Sequence, residues 1–379
     1  MNEMIYLDNS ATTKPSDSCI SEINRCLKEN WGNPSSLHIM GFNAEMAVNE
    51  ARNKVARLIK ARDDEIYFTS GGTESNNTAI FSAAYSKSKQ GKKIVTTAIE
   101  HPSVLEPMKR LENEGFEIIR LKPSASGKVS IEDIEKTIDA QTVLVSIMLV
   151  NNETGATQPV EAAARAIGRN APYALLHCDA VQGFGKIPID VSKLGVDLMS
   201  ISGHKIHGPK GIGVLYKKKS VNLKPLILGG GQEKNLRSGT ESVPLIMGLG
   251  GATDDLKDVA KNLEKMKELN LAARKILLDT GIVLLNSDDE CLPYILNISV
   301  PGYRSETLLH FLENKGIYVS SGSACSKGKG SYVLSEMGLD SKRIDSGLRI
   351  SFSRFNTVCE IEKLAKALID ATAVLRKAK

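Results

Sequence analysis

The sequence lacks several features that mark specialised classes of protein. None of its six cysteines belongs to a C-x-x-C pair, which argues against a zinc knuckle or a thioredoxin-like dithiol. It has no secretory hydrophobic segment and no apolar run of membrane-spanning length. We therefore expect a cytoplasmic protein without a membrane or metal site, in which the thiols are free.

An excess of charge of one sign is also missing. The chain has 49 Lys and Arg against 44 Asp and Glu, a net charge of +5, and the charges are spread along it. Its one dense basic run, at 217–219, is typical of a solvated loop. Direct binding of nucleic acid is therefore not expected.

The 379 residues suit about two domains, and apolar runs dominate the first of them. Unbroken apolar runs that alternate with helical stretches are typical of parallel strands buried on both faces. They predict an α/β domain with a large, mostly parallel, seven-stranded sheet. The candidate strands are 66–69, 93–97, 117–121, 142–150, 173–178, 196–201 and 212–216.

The pattern changes near residue 255, where a charged helix over 254–278 begins a section with fewer long apolar runs. Short strand and helix patterns follow there, which predicts a smaller α+β domain packed on the first. The expected division is 16–255 for the large domain, with 1–15 and 256–379 forming the small one. The candidate strands are 293–300, 316–320 and 348–352, and the helices are 305–315 and 358–377.

Lys205 follows the apolar strand pattern at 196–201, with Ser202 and His204 beside it. A lysine just beyond a buried strand can form a Schiff base with an aldehyde cofactor. Ser202 and His204 can then hold a phosphate or orient a ring. A basic, glycine-punctuated surface turn explains this stretch equally well.

Two more turns follow predicted strands. Gly72 and Thr73 precede a helix, whose free N–H groups can bind a phosphate, although a tight turn with Thr73 as helix cap is the simpler explanation. His101 lies close behind the strand at 93–97. It can stack on a flat cofactor or move protons, or it can cap the next helix.

Two polar residues end the most apolar strands. Asn152 can donate its amide to a carboxylate or phenolate oxygen, or simply form a turn. Asp179 needs a cationic partner, because an unpaired buried charge is costly. That partner is either a protonated pyridine nitrogen, as in pyridoxal phosphate enzymes, or a nearby lysine or arginine.

Three further residues stand out in the second half of the chain. Thr240 ends a glycine-rich stretch that contains Arg237, a pattern that suits an anion or a flexible loop. Cys325 lies among small residues beside two lysines, where positive charge favours the reactive thiolate. Arg349 lies in an apolar strand pattern and requires a carboxylate of the protein or of a ligand.

Together these motifs resemble those of a cysteine desulfurase of the NifS/IscS type, within the fold-type I pyridoxal phosphate enzymes. The resemblance runs from Leu-Asp-Asn-Ser-Ala-Thr-Thr at 7–13 to Arg349. It includes Ser-Gly-His-Lys-Ile-His-Gly-Pro-Lys-Gly at 202–211, Arg-Ser-Gly-Thr at 237–240 and Ser-Ser-Gly-Ser-Ala-Cys at 320–325, in the family order.

The resemblance implies a role for each candidate residue around pyridoxal 5'-phosphate. Lys205 holds the cofactor through its amine and later acts as base and acid, while His101 lies over the ring. Asp179 pairs with the pyridine nitrogen and Gln182 contacts the phenolate. The implied phosphate ligands are Gly72, Thr73, Ser202 and His204, together with Thr240 from the other subunit of a homodimer.

By the same resemblance, Asn152 and Arg349 hold the carboxylate of L-cysteine, and Cys325 attacks its sulfur. The products are L-alanine and a persulfide on Cys325, whose sulfur passes to an acceptor protein for iron–sulfur cluster assembly or for tRNA or cofactor thiolation. The alternatives are a selenocysteine lyase or sulfide-producing cysteine lyase, an aminotransferase of the same fold, and a cofactor-free assembly protein.

Overall fold

A seven-stranded sheet forms the centre of the fold in the computed structural model, which describes residues 4–321 and 330–377. The strands of the described residues are β1 (Ile5–Tyr6), β2 (Ile66–Thr69), β3 (Lys93–Thr97), β4 (Glu117–Leu121), β5 (Thr142–Ser146), β6 (Leu175–Asp179), β7 (Leu198–Ser202), β8 (Gly213–Lys217), β9 (Leu284–Leu285), β10 (Ile295–Ser299), β11 (Ile317–Tyr318), β12 (Ser320–Ser321) and β13 (Gly347–Ser351).

The large sheet has the strand order β2-β8-β7-β6-β5-β3-β4, and only β8 runs antiparallel to its neighbours. Every residue of β5, β6 and β7 is buried, as their apolar runs predict. The predicted α/β class and its seven-stranded, mostly parallel sheet are confirmed. The strand predicted over 142–150 is too long, because the chain leaves the regular ladder after Ser146 and continues as a buried segment that bridges Val150 to Thr157.

Helices cover the sheet and connect its strands. Among the described residues, none is long and apolar enough to cross a bilayer. The helices are α1 (Asp17–Glu29), α2 (Ile39–Leu58), α3 (Gly72–Lys87), α4 (Pro102–Asn113), α5 (Ile131–Thr137), α6 (Val160–Asn170), α7 (Val191–Leu194), α8 (Val243–Asp254), α9 (Val259–Asp279), α10 (Ser305–Asn314), α11 (Tyr332–Glu336), α12 (Ser341–Asp345) and α13 (Val358–Val374).

A second sheet, of the antiparallel order β12-β13-β10-β9, lies in the C-terminal part of the chain. β1 pairs separately, in parallel, with β11. One continuous cluster of buried side chains includes Val145 and Met199 of the large sheet as well as Ile295 and Leu348 of the second. The two parts therefore share a core and pack against each other.

The segment after β1 joins the two sheets. The Asn9 side-chain amide donates to the Ser351 carbonyl at 2.9 Å, and the Ser10 N–H donates to the Ser351 hydroxyl at 2.8 Å. The Thr13 hydroxyl donates to the His204 carbonyl at 3.0 Å. These contacts hold residues 9–13 across the carboxyl end of β7, the edge where ligands bind in parallel sheets.

A buried ion pair holds the loop that follows β8. Glu233, Lys234 and Asn235 have positive φ angles of 47°, 56° and 65°, a conformation that is costly for residues other than glycine. The Glu233 carboxylate accepts two bonds of 2.9 Å from the Arg52 guanidinium and one of 2.9 Å from the Phe68 N–H. Arg52 also stacks over the Phe68 ring. These contacts compensate for the strained backbone.

Replacing Glu233 with glutamine leaves the Arg52 charge buried and unpaired. We expect Glu233→Gln to lower the free energy of unfolding by about 3–5 kcal/mol, measured by urea denaturation. Glu112→Gln is the matched control, because the Glu112–Arg120 pair is solvent-exposed and its loss costs less than about 1 kcal/mol. Equal losses in the two variants would contradict the structural role of the buried pair.

Candidate active site

A cavity of about 330 Å³ opens at the carboxyl ends of the parallel strands, within the size range of small-molecule sites. It lies where the large sheet, the 8–13 segment and β13 meet. Of the sequence-predicted site residues that the structure describes, all but Thr240 line it, and Cys325 lies outside the described residues. The predicted residues that line it are Gly72, Thr73, His101, Asn152, Asp179, Gln182, Ser202, His204, Lys205 and Arg349.

Lys205 lies in the short helical turn that follows β7. Its Nζ donates to the carbonyl oxygens of Ser10 and Ala11, both at 2.6 Å. Burial and the positive charge of Arg349 lower the pKa of the Lys205 amine to about 8, against the opposing influence of Asp8 and Asp179. With a pKa near 8, roughly a tenth of this amine is unprotonated and nucleophilic at pH 7.

Asp179, the last residue of β6, is fixed by two donors. The Asn76 amide donates to its Oδ2 at 2.7 Å, and the Val181 N–H donates to its Oδ1 at 3.0 Å. Neither donor is charged, and no lysine or arginine among the described residues forms an ion pair with Asp179. The carboxylate is thus available to a cationic ligand group.

His101 is the N-cap of α4, as one interpretation of the sequence has it, and it also lines the cavity. Its Nδ1 accepts from the Ser103 N–H at 3.1 Å, which assigns the ring proton to Nε2. Burial lowers the pKa of His101, an effect that Asp179 opposes and Lys205 reinforces. The imidazole is therefore neutral and offers a flat face and one N–H group.

The helix α3 presents its N-terminus to the cavity. Gly71 occupies the N-cap position and no side chain caps the helix, so the prediction of Thr73 as the cap is wrong. A Cβ atom on Gly72 would lie 2.8 Å from a Val181 methyl carbon, which explains the need for glycine. Uncapped N–H groups and the positive end of the helix dipole favour an anion here.

Gln182, Ser202 and His204 complete this side of the cavity. The Gln182 amide donates to the Ser10 carbonyl at 3.0 Å, and its Oε1 accepts from the buried Lys186 amine at 2.9 Å. The His204 Nδ1 lies 3.2 Å from the Thr12 hydroxyl. Burial and Lys205 lower the pKa of His204 to about 4, so this imidazole is neutral too.

Arg349 lies at the edge of the cavity formed by β13. Its Nη1 donates to the Asn152 carbonyl at 3.1 Å and its Nη2 to the Asp8 carboxylate at 2.9 Å. Its Nε and the Asn152 Oδ1 are buried without hydrogen-bond partners among the described residues. Since buried polar groups rarely remain unpaired, the Arg349 Nε–H indicates an acceptor on a ligand, such as a carboxylate, and the Asn152 Oδ1 indicates a donor beside it.

Several residues that line the cavity were missed in the sequence. Asn76 lies one helical turn after Gly72, and Ser103 lies two residues after His101, so spacing alone could have identified both. Glu153 accepts a hydrogen bond from the Ser331 hydroxyl, and burial raises the pKa of Glu153 to about 7. Tyr332 comes from α11, and no local signal connects it with the sheet.

The donor set fits a phosphorylated aldehyde cofactor. It offers a partly buried amine at Lys205, a carboxylate at Asp179 without a cationic partner in the described chain, and an uncapped helix N-terminus at Gly72. No cluster of His, Cys, Asp and Glu among residues 4–321 and 330–377 could hold a metal ion. Thr240 is exposed and lies outside the cavity of this single chain.

The fold and site correspond to a known class of protein. The model of the class-V aminotransferase family matches residues 5–364, and the chain belongs to that family. The fold-type I assignment made from the motifs is thereby confirmed.

Within that family the chain is similar to cysteine desulfurases of the NifS/IscS type. It is 39% identical to the cysteine desulfurase IscS of Methanosarcina thermophila, over 99% of this chain and 93% of that protein. A solved NifS-like protein superposes with a TM-score of 0.93 at 39% identity, covering 98% of this chain and all of the other. A structure described as SspA in complex with cysteine gives a TM-score of 0.82 at 33% identity, covering 93% and 100%.

The lowered pKa of Lys205 predicts its reactivity in the cofactor-free protein. We expect labelling of Lys205 by an amine-selective reagent to reach half its maximal rate near pH 8, because only the neutral amine reacts. The labelled peptide is quantified by mass spectrometry, with the exposed Lys28 as internal reference. Arg349→Gln should move the midpoint upward, since it removes a neighbouring positive charge. A wild-type midpoint near the ~10.4 of a free lysine would contradict the assignment.

Proposed function

We propose that the protein is a cysteine desulfurase that uses pyridoxal 5'-phosphate and converts L-cysteine to L-alanine. Similarity along nearly the whole chain to proteins named cysteine desulfurase supports the reaction. The observation that carries the proposal is the partly buried Lys205 amine, which lies in one cavity with Asp179 and Arg349. An amine, an anion and a cation in these positions suit an amino-acid substrate of a pyridoxal enzyme.

The proposal assigns the cofactor to residues of this cavity. Lys205 would bind its aldehyde carbon, and Asp179 would stabilise a proton on its ring nitrogen. Gly72, Thr73, Ser202 and His204 would hold its phosphate, through backbone N–H groups and the hydroxyls of Thr73 and Ser202. When bound, pyridoxal phosphate supplies a ring that withdraws electrons from the substrate's Cα. The side chains of this protein supply the remaining functions.

Proton transfer and substrate orientation fall to the protein. The Lys205 amine, with its pKa near 8, can accept a proton at Nζ and return it at neutral pH. The Arg349 guanidinium would hold the substrate carboxylate through its unpaired Nε, with the Asn152 side chain beside it. The neutral His101 ring would cover the flat face of the ligand and exclude water.

Cys325 is the proposed sulfur acceptor. Its thiolate attacks the substrate sulfur, so that a sulfur–sulfur bond forms as the carbon–sulfur bond breaks. The substrate's Cβ takes up a proton and becomes the methyl group of alanine. The enzyme retains a persulfide, and no external oxidant or reductant is required until the sulfur leaves. In the cytoplasm, its proposed location, an acceptor protein for iron–sulfur assembly or thiolation would take that sulfur.

Alanine release tests this proposal. With L-cysteine and a reductant, we expect the wild type to form alanine and Cys325→Ala to lose at least about a hundredfold in rate, because it lacks the nucleophile. Cys359→Ala is the matched control, since Cys359 is exposed in α13 and should be dispensable. Equal alanine from wild type and Cys325→Ala would favour a lyase. No alanine from the wild type would refute the desulfurase function.

We also propose that residues 16–255 form the large domain and that residues 1–15 and 256–379 form the small one.

We further propose that two copies of the chain form a homodimer. A group of apolar side chains around the start of α2 is more than half exposed in the single chain, and apolar patches of this kind favour protein interfaces. Thr240 is exposed as well and would complete the phosphate site of the second copy. The exposed apolar residues are Trp31, Leu37, Ile39, Phe42 and Met46.

Charge placed on this apolar patch should separate the copies. We expect Ile39→Glu combined with Phe42→Glu to convert a dimer into a monomer, measured by light scattering during gel filtration. Leu271→Glu is the control, because it places the same charge on an exposed leucine of α9. A wild-type monomer would refute the homodimer, and an unaffected dimer would exclude this patch as its interface.

A further inference from the structure

An acidic residue, Glu74, lies at the N-terminal end of α3, where the proposed phosphate site requires a positive electrostatic potential. Glu74 is the third residue of the helix and directly follows Thr73. Its Oε2 accepts from the Ser70 N–H at 2.8 Å, so the carboxylate turns back over the helix N-terminus. Uncompensated, this negative charge would repel an anion bound beside Gly72 and Thr73.

Arg237 compensates this charge. Its Nε donates to the Glu74 Oε1 at 2.9 Å, and its Nη2 donates to the Oε2 at 3.4 Å. The side chains of Glu74 and Arg237 are 13% and 27% exposed, so solvent screens the pair only partly. Burial raises the pKa of Glu74, but the bonds from Arg237 and Ser70 outweigh it and lower the pKa overall. The carboxylate is therefore ionised.

The position of Arg237 is set by the strained loop that precedes it. Glu233 anchors this loop to Arg52, and Leu236 is buried. The Ser238 N–H donates to the Ile227 carbonyl at 3.2 Å, and the Gly239 N–H donates to the Gln232 Oε1 at 2.8 Å. Arg237 thus extends toward Glu74 from a backbone that is fixed on both sides.

We propose that Arg237 is a positioning residue for the cofactor phosphate, acting through Glu74 by cancelling the negative charge at the N-terminus of α3. Glu74 holds the start of the helix through Ser70, and Arg237 allows that carboxylate to remain beside an anion. This inference rests on the proposed function, because it takes pyridoxal phosphate as the ligand of the cavity.

Cofactor affinity tests the inference without any measurement of turnover. Protein freed of cofactor is equilibrated by dialysis against pyridoxal 5'-phosphate, and the Kd is measured. We expect Arg237→Gln to raise the Kd about tenfold, since an uncompensated charge then lies close to the phosphate. Arg237→Lys should remain close to wild type because it keeps the positive charge.

The double variant separates the charge effect from a structural one. Glu74→Gln keeps an oxygen for the Ser70 N–H but removes the negative charge. Combined with Arg237→Gln, it should restore the Kd to within about twofold of wild type, because the repulsion has been removed. A double variant as weak as Arg237→Gln alone would overturn the inference and indicate that Arg237 only supports the loop.

Two further results keep this test distinct from that of the proposed function. Arg120→Gln removes an exposed partner of Glu112 and should leave the Kd unchanged. If the wild type binds pyridoxal phosphate and Arg237→Gln binds it with the same Kd, this inference is overturned and the proposed function is not. A wild-type chain that binds no pyridoxal phosphate would overturn the proposed cofactor and this inference together.

Discussion

The removal of the Lys205 amine from water is the constraint on which the rest of the site depends. A lysine that is largely withdrawn from water is costly in its charged form, and here its amine donates hydrogen bonds only to the neutral carbonyl oxygens of Ser10 and Ala11 among the described residues. Those carbonyls come from the segment after β1, which Asn9 and Ser10 hold in place by binding Ser351 of the second sheet. The packing of the two sheets is thus a condition for the reactivity of one amine.

The charges around the cavity are fewer than its titratable groups suggest. His177, buried between the hydroxyls of Ser146 and Ser200, has its pKa lowered to about 3 by burial. Burial likewise raises the pKa of Glu100 to about 8, although a Thr97 hydroxyl and the Met148 N–H bind it. Both groups are neutral near pH 7. The electrostatic field that a ligand meets near pH 7 is therefore set mainly by Asp179, Arg349, the largely protonated Lys205 amine and the N-terminal end of α3.

The sequence predicted the large sheet and most of the cavity because both follow from local patterns. The apolar strands are continuous, and polar residues such as Asp179 and Lys205 stand out where they end. The strand predicted over 142–150 was too long, because an apolar run indicates that residues are buried but does not show that they pair with a neighbouring strand. Tyr332 and Asp8 were missed because their positions depend on how β13 and α11 pack against distant strands. Cys325 remains a prediction, since it lies outside the described residues.

The position of residues 8–13 between the two sheets determines when the cavity can form during synthesis of the chain. Asp8 and Ser10 are synthesised long before their partners Arg349 and Ser351, which follow them by 341 positions. Contacts of such long sequence separation form late, because loop closure must precede them. A nascent chain that ends before β13 therefore has an incomplete cavity, because Arg349 lines it and binds Asp8. A ligand that requires Arg349 can bind only after β13 has been synthesised and has paired with the 8–13 segment.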